Sequence, residues 1–310
     1  VEDIAKPELI NQVKERIQQI KIDMLNSSGE IEQLIEDHPY SIFPTIGNTE
    51  RPDKAAGMLL EGRVVIIVSG SPVTLIVPNL FVENFMIVED YNSRPYYSSA
   101  IRLLRFISFL ISITVPALYI SALNFNKALI PSDLIIPLVQ ARETVPFPLA
   151  MEVFIGIFMF EIVREAGVRL PRQIGTAISI VGPLILGDVA VSAGLIGAPT
   201  IVIVSFSYIA AFVVTPIADV TAFLRILLFI SASLFGSFGL SLALLAILTH
   251  MVSLSSMGVP YMAPFAPIYF KDWKDTFVRV PIRLMRHRPK SIPNKRSKRI
   301  QSIPDTREKQ

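Results

Sequence analysis

The residues of this chain best placed to do chemistry are charged side chains set inside apolar runs. Glu152 falls near the start of a run that opens at Pro148, and Asp188 falls inside another that extends from Ile174 to Ile196. A carboxylate in hydrocarbon is costly unless it faces water, an ion or a partner helix, so both point to an ion path or a helix contact. Gly182-Pro183 interrupts the run that holds Asp188 and makes a straight helix there unfavourable. Gly236 and Gly239 lie among Ser231, Ser233, Ser237 and Ser241, a set of small residues that allows close helix packing or lines a narrow water path. Between the runs, Glu161, Arg164, Glu165, Arg169 and Arg172 form a charged elbow. Glu161 and Glu165 are one turn apart, and Arg164 can neutralise Glu161 across a turn. Arginines of this kind are expected on the cytoplasmic side. Asp188, Glu152, Gly182, Pro183, Gly236 and Gly239 are thus the candidate pore or gating residues, and the five charged residues the candidate cytoplasmic elbow.

Catalytic groupings are not expected. The sequence holds no cysteine, which removes disulfides, thiolate metal sites and cysteine nucleophiles. His38, His250 and His287 are far apart and lack ligand spacing. Ser69-Gly70-Ser71-Pro72 superficially resembles a serine-nucleophile turn, but it lacks the G-x-S-x-G spacing and no histidine follows nearby. The reading is a protein that is not an enzyme and has no metal and no cofactor.

The elements that must position these residues are mostly membrane helices. Hydrophobic residues make up 51% of 310, and the mean hydropathy is +0.52. Residues 101–270 hold nearly all the long apolar runs, several near the ~20 residues needed to cross a bilayer. Segments are expected at Phe106–Leu123, Pro148–Val163, Ile174–Ile196, Thr200–Ala218 and Ile226–Thr249. Pro116, inside the first, requires neighbours that satisfy the carbonyl it frees. Residues 129–141 and 251–268 are apolar but proline-rich, and read as re-entrant or interfacial pieces. Before the membrane, residues 3–37 read as helical, 41–57 as turns, and 63–68 with 73–77 as a β-hairpin. The fold class is therefore a polytopic α-helical membrane protein with four to five segments and a small N-terminal cytoplasmic α/β domain. The expected divisions are 1–100, 101–270 and 271–310.

Net charge changes along the chain: −7 over residues 1–100, +1 over 101–270 and +9 over 271–310. The basic end, with Trp273 and an amphipathic stretch, reads as a cytoplasmic tail close to anionic lipid that becomes disordered from Lys290. Nucleic acid is set aside as a partner, because the tail has few aromatic residues and directly follows a membrane domain. Basic residues before the first segment, in the elbow and in the tail all favour the cytoplasm. Five crossings cannot satisfy that, so either the third segment is a re-entrant hairpin broken at Gly182-Pro183, the favoured reading, or residues 251–268 dip back into the membrane.

Several separated stretches resemble one family. PFPLAMEVF (146–154), FEIVREAGVRLPRQIG (160–175), SIVGPLILGDVAVSAGLI (179–196), HMVSLSSMGVPYMAPFAP (250–267) and RVPIRLMRHRP (279–289) look like the A subunit of the spore germinant receptors of endospore-forming Firmicutes. So do GRVVIIVSGSPVTLIVPNLFVENF (62–85) and EDYNSRPYYSSAIRLLRFISF (89–109). The resemblance covers about residues 60–290. It implies a multi-pass protein of the spore inner membrane that works with a B-type transporter-like subunit, which binds the nutrient, and a C-type lipoprotein. It also implies self-association into a ring that passes monovalent cations when germinant binds. The family's A subunits carry a larger N-terminal region, so a chain opening at Val1 is expected to be truncated. Where the family motif reads GQAAV, this chain has Asp188 in GDVAV, an added charge that would favour cations if it faces the path. The alternatives are the paralogous stage V spore channel that amplifies germination, a secondary transporter, and a non-conducting scaffold subunit.

Overall fold

The computed structural model describes residues 4–171, 175, 182 and 185–299. Pro183 and Arg172, with most of the expected break near Gly182, lie outside the described residues, as does the chain beyond 299. The chain divides into two compact units, Val1–Leu104 with Leu248–Gln310, and Arg105–Ile247.

The first unit is mixed helix and sheet. Helices α1 (Pro7–Gln19) and α2 (Ser28–Ile35) present Leu9, Val13, Ile31 and Ile35 to one apolar core. The expected hairpin forms as β2 (Val64–Ile66) and β3 (Thr74–Val77), antiparallel with Val64 opposite Val77. A third strand, β1 (Gly47–Thr49), pairs with the other side of β3, giving the order β1-β3-β2. Helix α3 (Pro52–Glu61) lies between β1 and β2. Pro52 opens it and Gly62 closes it at φ 104°, a left-handed position that suits glycine. After a short helix α4 (Glu89–Asn92), helix α5 (Pro95–Ile120) begins.

Residues beyond 247 also belong to this unit. A two-residue ladder, β4 (Ser255–Ser256) with β5 (Val259–Pro260), puts Met257 into the α1–α2–β3 core. The Ser256 hydroxyl donates to the Thr45 carbonyl at 2.5 Å and accepts from the Asn79 amide at 2.9 Å. Arg102, at 0% exposure, donates to Asp90 at 3.0 Å and to the Asp275 carboxylate at 2.8 Å. Residues 286–299 carry main-chain pairing in this unit. The Arg288 amide bonds the Ser297 carbonyl at 2.7 Å, the Arg299 amide the Arg286 carbonyl at 2.9 Å, and the Lys295 amide the Ile4 carbonyl at 2.8 Å. Main-chain pairing orders a basic segment that composition alone assigns to a solvated tail.

The second unit is helical. After α5 comes a π-helical turn, Ser121–Phe125, then α6 (Ser132–Gln140) and α7 (Leu149–Arg169). Residues 185–192 are helical (α8), followed by α9 (Ala198–Phe212) and α10 (Ala218–Ser253). Its core joins Tyr119, Ile120 and Leu123 to Val153 and Ile157 of α7, Val204 and Tyr208 of α9, and Phe229 of α10. Gly156 lets α7 approach α9, since a Cβ there would stand 3.4 Å from Val204.

Among the described residues, two helices are long and apolar enough to cross a membrane, Pro95–Phe125 and Thr215–Ser253. Helix α9 is apolar but has only 15 residues. Helix α7 runs 21 residues and carries the charged elbow on its last turns, so the stretch read as a link after Val163 is helix through Arg169. Helix α10 is two helices meeting at Gly236, where φ is 60° and ψ −140°. Phe223, Ile230, Leu234, Phe238, Leu242 and Leu245 are exposed along it. So continuous an apolar face calls for cover by lipid or protein.

Candidate functional site

Within the helical unit, two polar clusters and one groove gather the charges that lie among apolar residues. The first cluster is centred on Glu152. Pro148 starts α7, and its first turn delivers Glu152 to the N-terminus of α9, where the backbone N–H groups lack helical acceptors. The carboxylate, 0% exposed, accepts from the Gly197 amide at 2.8 Å, from the Thr200 hydroxyl and from Arg142 Nε at 2.8 Å. Tyr119 Oη lies 3.3 Å from Thr200 Oγ1. Gly197 keeps the approach open, because a Cβ would stand 2.9 Å from Arg142 Cγ and 3.1 Å from Glu152 Oε1. Glu152 thus clamps α7 to α9 with its charge balanced by Arg142.

The second cluster begins with proline chemistry. Pro116 has no N–H to give to the Ser112 carbonyl one turn back in α5. That oxygen instead accepts from Arg225 Nε at 2.9 Å and from Ser207 Oγ at 2.7 Å. Arg225 belongs to α10 and Ser207 to α9, so the freed carbonyl draws two other helices to α5. The Arg225 guanidinium, 2% exposed, lies 3.9 Å from the centroid of the Tyr208 ring. Tyr208 Oη is 2.8 Å from Glu161 Oε2 and 2.9 Å from the Ile157 carbonyl oxygen. Arg225 Nη1 approaches the same carboxylate at 3.9 Å. Arg164 pairs with Glu161 and reaches Asp219 at 3.4 Å. Four helices are therefore joined by one polar seam, Ser112–Arg225–Tyr208–Glu161–Arg164.

Asp188 lies on α8 in an open groove of about 640 Å³, with Arg164 and Tyr208 on its wall beside Phe160, Ile201 and Phe212. No described residue pairs with Asp188. Glu165 and Arg169 pair at 2.7 Å on the exposed face of α7. The elbow thus splits: Glu161 and Arg164 enter the seam, whereas Glu165 and Arg169 face outward, and Arg172 is outside the described residues.

The glycines have distinct surroundings. Gly236 breaks α10, and a Cβ on it would stand 2.6 Å from Cγ of Phe125, which packs into the break. Beside the break, Ser121 Oγ and Ser237 Oγ are 2.7 Å apart, and Asn126 donates to Ser237 at 2.5 Å. A Cβ on Gly239 would meet the Ser231 carbonyl oxygen and Phe235. Gly182 is helical and half-buried. Sequence reasoning singled out neither Arg225 nor Tyr208, nor Arg142 and Thr200. An arginine at the eleventh residue of the span Thr215–Ser253 is the signal that marks Arg225.

A model of the family described as Bacillus/Clostridium GerA spore germination protein matches residues 1–291. The chain belongs to the GerA spore germination family. GerA relatives include spore germination protein KA of Bacillus subtilis (strain 168), 43% identical over 294 residues, covering 94% of this chain and 54% of the relative. Spore germination protein GerLA of Bacillus cereus is 40% identical over 300 residues, covering 96% of this chain and 61% of the relative. Spore germination protein B1 of Bacillus subtilis (strain 168) is 41% identical over 291 residues, 93% of this chain and 60% of the relative. The chain thus spans between half and two thirds of the length of these GerA relatives. No solved structure matches it.

Proposed function

We propose that this GerA-family chain is the A-type subunit of a nutrient germinant receptor in the spore inner membrane. It works beside a B-type transporter-like subunit and a C-type lipoprotein, and it self-assembles into a ring that conducts monovalent cations when nutrient binds. The observation that carries this reading is the polar seam from buried Arg225 and Tyr208 to half-buried Glu161, set within otherwise apolar helices. Ionised groups at such depth belong with ion paths and moving helix contacts rather than with inert packing. In this reading Asp188 lines the cation path, Glu152 and the Gly236 break set the positions of α9 and α10, and the charged end of α7 lies on the cytoplasmic side. The membrane domain then comprises α5, α7, α9 and α10, with α7 and α9 running parallel from Glu152 beside Gly197 to Glu161 beside Tyr208, and residues 4–92 form the cytoplasmic part.

The test is potassium release from spores carrying the full-length protein with Asp188→Asn, with and without nutrient. Altered basal or triggered release, at normal protein level and complex assembly, supports Asp188 in the path. Unchanged release removes it from the path and favours a scaffold. Passive cation flux from vesicles holding the purified complex supports a channel, whereas saturable coupled uptake overturns it in favour of a transporter.

A further inference from the structure

The segment 286–299 doubles back on itself. The Arg288 amide bonds the Ser297 carbonyl, the Arg299 amide bonds the Arg286 carbonyl, and His287 bridges Lys298. Arg288 is used up in holding this turn: its guanidinium and Nε donate to the carbonyls of Leu60, Arg296 and Lys298 at 2.6 to 2.8 Å. Under the turn is a cavity of about 360 Å³, with Lys271, Lys274, Arg286, His287, Lys290 and Arg299 in its lining. That volume is in the range of about 300–1,000 Å³ of small-ligand sites.

The charges here are out of balance. The side chains of Lys271, Lys274, Arg286 and Lys290 make no hydrogen bond or ion pair among the described residues, and Arg299 reaches Glu61 only at 3.9 Å. The three carboxylates at the cavity are already engaged. Asp272 accepts from the Lys290 and Ser291 amides at 3.0 and 2.8 Å. Asp275 accepts from Arg102 and from the Tyr91 hydroxyl. Glu61 faces Arg63 at 3.5 Å. Burial also pushes the carboxyls of Glu61 and Asp275 up, even with Arg63 and Arg102 beside them, which weakens their claim on the cavity cations. A concave site whose lining carries more cationic than anionic side chains suits a compact anion with several acceptor oxygens.

We infer that the cavity beneath residues 286–299 is a binding site for a phosphate group, supplied by the headgroup of an anionic lipid. This rests on the membrane placement proposed above, because clusters of basic residues next to membrane helices recognise anionic headgroups. A nucleic acid fits less well. The cavity is a single concavity, and it offers no Phe, Tyr or Trp platform on which bases would stack.

The experiment uses the full-length chain, with amide hydrogen exchange of residues 286–299 as the readout. The protein is incorporated into phosphatidylcholine vesicles with or without phosphatidylglycerol. In micelles it is titrated with inorganic phosphate or with a single-stranded oligonucleotide. Phosphatidylglycerol is expected to slow exchange in this segment. The double variant Lys274→Gln/Lys290→Gln, which breaks no bond in the fold, is expected to weaken that effect about thirtyfold. Protection by inorganic phosphate alone supports the site with a soluble source. No protection by lipid or phosphate, or protection indifferent to the two substitutions, overturns the site, and stronger protection by the oligonucleotide overturns the phosphate-lipid assignment. Failure to float with pure phosphatidylcholine vesicles overturns the membrane placement itself, and so is distinguishable from loss of the phosphatidylglycerol effect alone.

Discussion

Arg225 donates through Nε to the carbonyl of Ser112, 2.9 Å away, and so fills the place of the helical donor that Pro116 lacks. The proline and the arginine lie on different helices and are complementary. Pro116 creates a buried acceptor that would otherwise go partly unsatisfied, and Arg225 is a buried cation that needs acceptors in fixed directions. Replacing Arg225 with Met is therefore expected to cost about 3 kcal/mol, because it strips Ser112, Tyr208 and Glu161 of a shared partner. Pro116→Ala restores a backbone donor to Ser112, so Arg225→Met should cost less in that background. Melting of the two single variants and the double variant in micelles gives the coupling, expected near 1 kcal/mol.

Glu152 separates charge from hydrogen bonding. Glu152→Gln keeps one oxygen to accept from the Gly197 amide and the Thr200 hydroxyl but loses both the charge balance and the acceptor for Arg142 Nε, so a loss of about 2 kcal/mol is expected. Glu152→Ala orphans those donors and opens a cavity, and should cost about 3 kcal/mol or more. Thermal unfolding of both variants checks the order. Equal losses would show that the carboxylate does not clamp α9.

Gly236 is required twice over, by its backbone and by its neighbour. At φ 60° and ψ −140° a side chain is strained, and the Phe125 ring occupies the space a Cβ would take. Gly236→Ala is expected to lose about 2–3 kcal/mol. Adding Phe125→Ala should relieve the collision but not the backbone strain, so the double variant falls between the single variant's loss and the sum of both losses. In spores, Gly236→Ala is expected to change basal potassium release, read without nutrient.

In the first unit, burial raises the Glu32 carboxyl to about 7, and the neighbouring Glu36 adds repulsion. Glu36 is itself held by the Thr45 amide at 2.7 Å and hydroxyl at 2.6 Å. A carboxyl whose folded value lies above its unfolded value favours folding least when ionised. The penalty is absent below the unfolded value near 4.5, grows between 4.5 and 7, and is complete above 7. Glu32→Gln should accordingly stabilise the chain at pH 8 by about 1 kcal/mol, allowing for solvent around a half-buried group, and leave stability at pH 4.5 nearly unchanged. Melting temperatures at the two pH values decide it.

Chain position explains which parts of this arrangement were legible in the sequence. Glu152 and Asp188 stand out because a carboxylate in an apolar run is conspicuous without a structure. Their surroundings do not: the partners of Glu152 at Gly197 and Thr200 are more than forty residues away, and nothing local links them. Tyr208 hides in an apolar run as an ordinary aromatic, and only the fold sets its hydroxyl on Glu161. The hairpin of β2 and β3 was visible from its β-branched runs, but β1 is three residues in a turn-rich stretch and exists because β3 offers it an edge. Helix α3 did carry local signals, Pro52 at its start and Gly62 at its end, which the turn-forming residues before it obscured. The order of residues 290–299 arises from backbone pairing that a basic composition does not encode.

The burial of Arg102 has a mechanical consequence. Its guanidinium is gripped from two directions, by Asp90 on one side and by both the backbone and carboxylate of Asp275 on the other, and it lies 5.2 Å from the centroid of the Tyr91 ring. A side chain held this way behaves like a key in a shaft. Torque applied along α5 cannot spin its first turns without shearing these contacts, so those turns move together with the Tyr91 turn and the Asp275 segment.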